Sequence, residues 1–488
     1  MITLIDETPN GAGARIVSSG HGGTMSAKVI DVERLINEKK MSAFHIGVIF
    51  MTFLVVTVDG FDITAASFAA PGLIKTFHIS PTSLGALFSA ALVAGLIGTP
   101  VFGFLADRFG RKRVMLWGSV FFGVFTLAAL VAQTFQQMIL FRFIAGIGVA
   151  GVLPTSVAYV SEFAPRKFRA TVVSIMFTGS PVGSIISGLV AAKLMPIYGW
   201  KILFWIAGLS PLVLALALAF LLPESIHFLV RRPKAREQLA GILRRFEPGL
   251  QFDPDTRFVS ARHQSLKPMP TSALFAGRLK LLTPLIWVAN VLSLMTFYFA
   301  NQWLPTLLAH SAAGPSGAAM ATTLFICGGV VGALVIMRPI DKWGFLPVPI
   351  LFLCGVPALI AVGAPGMGVQ VLLSIVVMAG FCLYGVQYGL IASEGPLFPP
   401  PVRGRGVGFC FAAGRVGATF GPLIGGYLIS RHLPMQTLFM VAAIPLGLGV
   451  LVSAVITPLY RKQVLEVEGS VSPAFDFDAQ ALSQAAAP

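Results

Sequence analysis

At 488 residues, 56% hydrophobic and only 11% charged, with a mean hydropathy of +0.82, the chain is too apolar to be a water-soluble protein. A net charge of +15 would suggest nucleic acid in a soluble chain, but here the basic residues fall mainly in loops on one side of the predicted spans, so they read as a topology signal and no nucleic-acid partner is expected. Cys327, Cys354, Cys382 and Cys410 lie singly in apolar segments without metal-ligand spacing, which makes them packing residues and leaves neither a metal nor a cofactor in prospect.

Residues 1–43 are polar, carry the charge-rich run Asp31 to Lys40 and lack a short apolar region with a cleavage site, so a cytoplasmic tail is expected there and not a signal peptide. Apolar runs of about twenty residues then predict about twelve membrane spans. Six lie near 44–68, 83–105, 114–133, 136–160, 171–193 and 201–222, giving an N-terminal six-helix bundle over 44–222. A polar stretch, 223–281, with Arg231, Arg232, Arg244, Arg245, several prolines and a short helical pattern, reads as a cytoplasmic central loop. Six more spans near 282–308, 316–338, 346–363, 368–393, 404–430 and 435–459 make a C-terminal bundle over 282–459. Beyond it, 460–488 is polar and low in complexity, and is expected to be a disordered cytoplasmic tail.

The short loops fix the orientation. With the N-terminus inside, the inner loops hold Arg108, Arg111, Lys112, Arg113, Arg166, Lys167, Arg169, Lys342, Arg403 and Arg405, against only Lys75, Lys193, Lys201 and Arg431 outside. The halves also repeat: Leu105 to Gly110 aligns with Pro339 to Gly344 at an offset of 234 residues, and Pro165, Arg169 and Ala170 fall on Pro401, Arg405 and Gly406 at an offset of 236. Two matches at nearly one offset, each at the equivalent loop, indicate a duplicated bundle with its site at the interface between halves.

The first span carries two acids, Asp59 and Asp62, in the stretch VDGFDITAASFAAP. At ~1.5 Å per helical residue, Asp59 lies roughly 22 Å beyond Phe44, inside a hydrocarbon core about 30 Å thick. Intramembrane acids usually mark an ion or proton path, and two acids three residues apart share a helix face. One of them serving only as a structural partner for a buried base, with Gly60 allowing close packing, is the competing reading. In the fourth span Arg142 sits at the depth of Asp62, so the two can face each other, whereas Glu162 lies at the level of Arg108 to Arg113. Arg142 snorkelling to lipid phosphate is the alternative. One aspartate is expected to stay paired and ionised while the other carries the proton.

Gly103 to Arg113, GFLADRFGRKR, resembles the loop between the second and third helices of the major facilitator superfamily, whose pattern is Gly, Leu, Asp, Arg, Gly, Arg, Arg or Lys at this spacing. Physically, Gly103 and Gly110 allow tight approach and a sharp turn. Asp107 can receive a helix N-terminus or a base from the opposite half, latching an inner gate with Arg108, Arg111, Arg113 and Glu162. In the second copy Asp341 and Lys342 survive, but Phe345 and Leu346 replace the arginines that follow, which weakens a symmetrical gate. Together with DGFD, SFAAP and RFIAGIG, the loop makes residues 44–459 similar to the aromatic acid and proton symporters of that superfamily. The resemblance implies the major facilitator fold and uptake of benzoate, hydroxybenzoate or protocatechuate with protons across a bacterial inner membrane.

In the C-terminal half, Arg415 lies near the midplane of the eleventh span, where a lone guanidinium is costly unless the cavity is wet or brings an anion, and its planar fork suits a carboxylate. A structural ion pair, with Glu394 the available acid, is the alternative. Tyr298, Asn301, Gln302 and Trp303 in the seventh span, with Tyr384, Gln387 and Tyr388 in the tenth, offer aromatic faces and neutral hydrogen-bond groups for a flat hydroxylated ring. Trp303 lies near the outer boundary and also fits an interfacial belt.

The chain thus reads as an all-α membrane protein of about twelve helices in two six-helix halves. Its expected activity is proton-coupled import of an aromatic carboxylate by alternating access, by a monomer in the lipid bilayer with both termini cytoplasmic. Asp59, Asp62 and Arg142 handle the proton, and Arg415 with the seventh- and tenth-span groups holds the substrate. A symporter for a dicarboxylate or sugar acid, or a receptor sensing such an acid, is the alternative. No nucleophile, metal cluster or cofactor motif at membrane depth suggests an enzyme.

Overall fold

The computed structural model describes residues 4–6, 15–17, 29–38, 41–165, 167–230, 232, 235–246, 257–259, 270–309, 314–399 and 401–484. Eleven of its helices are long and apolar enough to cross a membrane, and a shorter apolar one completes a set of twelve. In the N-terminal half these are α1 (Ala43–Phe77), α2 (Pro81–Phe109), α3 (Arg111–Val131), α4 (Phe135–Phe163), α5 (Thr171–Lys193) and α6 (Lys201–Leu221). The C-terminal half has α7 (Leu279–Leu308), α8 (Ser316–Trp343), α9 (Pro347–Val362), α10 (Val369–Leu397), α11 (Arg403–Ser430) and α12 (Met435–Val467).

Several helices outrun the apolar windows, because composition marks the hydrocarbon while backbone hydrogen bonding continues past it. α1 passes Pro71 and ends on His78 in the left-handed region, and α2 starts where Ser80 accepts from the Ser83 N–H ahead of Pro81 at the first helical position. A capping box at Thr134 and Gln137 opens α4. Between α2 and α3 the chain turns on Gly110 at φ 101°, a conformation that side chains with a Cβ rarely adopt. Large apolar side chains such as Phe220, Val213 and Phe104 stay exposed on the outer surface, the lipid-facing shell a membrane bundle needs.

Packing within each half follows one plan. α1 packs on α5, α2 on α4, and α3 on α4 and α6; in the other half α7 packs on α11, α8 on α10, and α9 on α10 and α12. Shifting each N-terminal pair by six helices yields a C-terminal pair, which is the spatial form of the duplicated loop motif. The halves meet through α2 on α11 and α5 on α8, a pair of contacts that the same shift exchanges, and through α1 on α7.

These contacts gather at the end bearing the C-termini of α1 and α7. There Ser67 Oγ donates to the carbonyls of Asn301 and Gln302, both at 2.9 Å, and Ser89 Oγ donates to the Thr419 carbonyl at 2.8 Å. Gly85 and Gly426 admit the facing backbones of Pro422 and Pro81. Trp303, expected as a possible belt residue, is fully buried there, donating to the Pro422 carbonyl at 3.0 Å and meeting the Phe88 ring edge to face. At the opposite end Gly103 of α2 and Gly404 and Gly408 of α11 have open space where a side chain would project.

Outside the spans, two findings differ from the sequence reading. Leu4–Asp6 pairs antiparallel with Arg15–Val17 and with Val29–Asp31, which runs parallel to Arg257–Val259, so the N-terminal segment and the central segment meet in a small sheet. The central segment holds helices Ile226–Val230 and Arg236–Phe246, in the stretch where the sequence shows a short helical pattern. The last helix runs on to Gln484, where low complexity suggests disorder. Arg166 and Arg231 lie outside the described residues.

Candidate functional site

A cavity of about 240 Å³ lies between the halves, walled by α1, α2 and α4 on one side and α7, α10 and α11 on the other. Most of its wall is apolar, with Phe88, Leu92 and Leu153 facing Leu294, Ile391 and Phe411. The polar groups on it are Asp59, Asp62, Arg142, Asn290, Tyr298, Gln302, Gln387, Glu394 and Arg415. An apolar slot with a few convergent polar groups is the usual form of a small-molecule site.

On the N-terminal wall Arg142 and Asp62 form a fork-to-fork pair, Nη1 to Oδ1 at 2.5 Å and Nη2 to Oδ2 at 3.0 Å. Arg142 is 4% exposed and stands over the Phe204 ring, so it does not snorkel to the lipid surface. Gly60 is a packing residue as well, since a Cβ there would strike the Ser180 backbone of α5. Asp59, one turn before Asp62, is 6% exposed and has no hydrogen bond or ion pair among the described residues. The charges within its electrostatic reach are Asp62 and, from the other half, Arg415.

Arg415 stands on the C-terminal wall. Among the described residues its guanidinium makes no hydrogen bond or ion pair; it reaches across to Gly95 of α2, whose missing side chain leaves the room. The ion pair with Glu394 is not formed; Glu394 accepts from Asn290 Nδ2 at 2.9 Å. Of the neutral groups read from the sequence, Tyr298, Gln302 and Gln387 line the cavity, and Gln387 Oε1 accepts from Ser293 Oγ at 3.0 Å. Asn301, Tyr384 and Tyr388 lie off the wall. Tyr384 donates to Asn301 Oδ1 at 3.3 Å, Asn301 Nδ2 donates to the Phe297 carbonyl at 3.1 Å, and Tyr388 packs against the core.

At the open end, the Gly103 to Arg113 loop is held within its own half. Arg111 pairs with Glu162 and donates to the Ala158 carbonyl at 2.8 Å. Glu162 Oε2 also accepts from Ser225 Oγ at 2.5 Å and from the His227 N–H at 3.3 Å, tying α4 to the segment after α6. The N–H groups of Lys112 and Ser225 share Glu224 Oε1, each at 2.9 Å, and Gly110 lies against the Glu224 carboxyl. Asp107, Arg113 and Asp341 are exposed and make no hydrogen bond or ion pair among the described residues; Arg108 contacts the Phe109 ring and offers its carbonyl to Arg232. The expected latch from Asp107 to the opposite half is therefore not made among the described residues, and Gly103, Gly404 and Gly408 face open space there.

Sequence reasoning missed Glu224 and Asn290 as site residues and named Glu394 only as the acid of an alternative ion pair with Arg415. A polar side chain inside an apolar run was the available signal for Asn290. Glu394 fell one residue past a span predicted to end at 393. Among the described residues no group of three or more His, Cys, Asp or Glu side chains is placed to hold a metal.

Comparison with known proteins gives three findings. The family model described as Major Facilitator Superfamily matches residues 52–396. The chain is 33% identical to the benzoate transport protein of Acinetobacter baylyi over 87% of this chain and 92% of that one, and 33% identical to the 4-hydroxybenzoate transporter PcaK of Pseudomonas aeruginosa over 86% and 94%. The partially occluded inward open structure of the xylose transporter XylE from E. coli superposes with a TM-score of 0.64 at 18% identity, covering 84% of this chain and 97% of that one.

Proposed function

The chain belongs to the major facilitator superfamily, and from that membership and the geometry of its cavity we propose that it imports an aromatic carboxylate of the benzoate, hydroxybenzoate or protocatechuate type together with protons. One observation carries the reading. Two ionisable groups with no hydrogen bond or ion pair among the described residues, Asp59 and Arg415, sit on opposite halves of a mostly apolar slot. The guanidinium takes the carboxylate of the substrate, the apolar walls take the ring, and Asp59 takes the proton, while Asp62 stays ionised against Arg142. Binding at Arg415 then changes the field at Asp59, so that arrival of the anion and of the proton are coupled across the interface.

Energetics favour this coupling. An anion entering a negative-inside cell is opposed by ~2.3 kcal/mol per 100 mV. One proton cancels that charge, and each unit of pH gradient then contributes ~1.4 kcal/mol.

The protein works by alternating access in a bacterial inner membrane, with both termini cytoplasmic, because the basic loops gather at the open end. That makes the present conformation inward-facing. Closing it requires α2 and α11 to approach, which brings Asp107 and Asp341 toward the facing half and completes a gate built on Gly103, Gly110, Arg111 and Glu162. A monomer suffices, since one chain encloses the whole cavity. Uptake of labelled aromatic and aliphatic acids into proteoliposomes, with and without an imposed pH gradient, tests the reading. Gradient-driven accumulation of the aromatic acids alone is expected, and equal or exclusive uptake of dicarboxylates or sugar acids overturns it.

A further inference from the structure

One carboxyl group on the cavity wall has no task in this scheme. Glu394, near the end of α10, is 1% exposed. Its Oε1 accepts from Asn290 Nδ2, and its Oε2 is buried without a hydrogen-bond partner. A buried acceptor left without a donor is costly, and a native fold that keeps one calls for an explanation. Here the explanation lies in the placement. Asn290 stands beside Gly414, whose missing Cβ would lie 3.6 Å from the Asn290 Cβ, so the Asn290 and Glu394 pair shares a layer of the cavity with Arg415. The wall around that layer is apolar, formed by Leu294, Ile391 and Phe411.

We propose that Glu394, positioned by Asn290, is the group that selects a ring hydroxyl: the phenolic O–H of a hydroxylated aromatic acid donates to Glu394 Oε2 while its carboxylate lies on Arg415. This assignment rests on the aromatic-acid reading above. The selection is one-sided, because a bare C–H or a methyl ether at that ring position leaves the acceptor unpaired, and sites built to bond a substrate hydroxyl reject analogues that lack it. An acidic group at one end of the slot also turns the carboxylate of the ligand toward the guanidinium at the other.

Calorimetry on the purified protein tests this with benzoate, the three monohydroxybenzoates and the matching methoxybenzoates. In the wild type the best hydroxy isomer binds about ten- to a hundredfold tighter than benzoate, the range for a hydrogen bond to a charged group, and its methyl ether binds no better than benzoate. In Glu394→Leu that advantage, read as the ratio of hydroxybenzoate to benzoate affinity within the same protein, falls to within about threefold. Glu394→Gln provides the second variant if the leucine protein is not monodisperse. Its oxygen stays with Asn290, an N–H turns to the ligand, and the advantage of hydroxy over methoxy disappears. A hydroxyl preference that survives either substitution, or none in the wild type, overturns the assignment alone. A wild type that binds none of these acids overturns the aromatic-acid reading and this assignment with it.

Discussion

Replacing Asp62 by Asn leaves Arg142 buried and charged without its counter-ion. The side chains of the pair are 4% and 8% exposed, two hydrogen bonds at 2.5 and 3.0 Å link them, and Arg142 Nε has no partner of its own. Removing one partner from a buried pair costs about 3–5 kcal/mol, since the remaining charge keeps its desolvation cost and loses its compensation. Asn at 62 retains an oxygen for one of the two bonds, which places the expected loss at the lower end, about 3 kcal/mol. Adding Arg142→Gln removes the stranded charge, so the double variant recovers most of that loss and a double-mutant cycle gives a coupling of at least ~2 kcal/mol. The assay is reversible denaturant unfolding of all four proteins in one detergent. An Asp62→Asn protein within about 1 kcal/mol of wild type, or additive single losses, would refute the claim that this pair is fixed and ionised.

Other substitutions separate binding from gating. Arg415→Ala is expected to weaken aromatic acid binding by about 2–5 kcal/mol and Arg415→Lys by about one, because the ammonium keeps the charge and loses the fork; calorimetry on monodisperse protein measures both. Gly95→Ala puts a Cβ where Arg415 Nη1 now lies, so affinity falls about tenfold with thermal stability near wild type, and an unchanged affinity contradicts the cross-half reach of Arg415. Glu162→Gln keeps an acceptor for Ser225 and His227 but loses the charge facing Arg111, so transport slows severalfold while equilibrium binding stays within about twofold, read by paired uptake and calorimetry.

The spans and the duplication were legible because apolar length and repeated loops are local signals. The two loop offsets correspond to packing pairs that exchange when each helix is shifted by six. Depth counting also sufficed for Arg142 and Asp62, since helical rise fixes height in a membrane. What depth cannot give is rotation about the helix axis. Asn301, Tyr384 and Tyr388 stand at suitable heights but turn into the half-bundle, where Tyr384 and Asn301 satisfy each other. Charge alone offers Glu394 as the alternative partner of Arg415, whereas its bond is to Asn290, 104 residues away in sequence. The expected Asp107 latch is not made, since Asp107 stands exposed with no hydrogen bond or ion pair among the described residues, and the strand pairing of Val29–Asp31 with Arg257–Val259 joins segments too distant for any local pattern to connect.

Proton entry that accompanies the substrate is the central claim, and a pH dye sealed inside proteoliposomes measures it most directly. With the protein inserted and 4-hydroxybenzoate added outside at equal pH, the lumen is expected to acidify faster than in protein-free vesicles. Asp59→Asn, which removes an acid with no hydrogen bond or ion pair among the described residues, is expected to remain folded, bind the ligand and acidify no faster than the protein-free control. Substrate uptake by the wild type without acidification, or acidification by Asp59→Asn at the wild-type rate, would contradict the account.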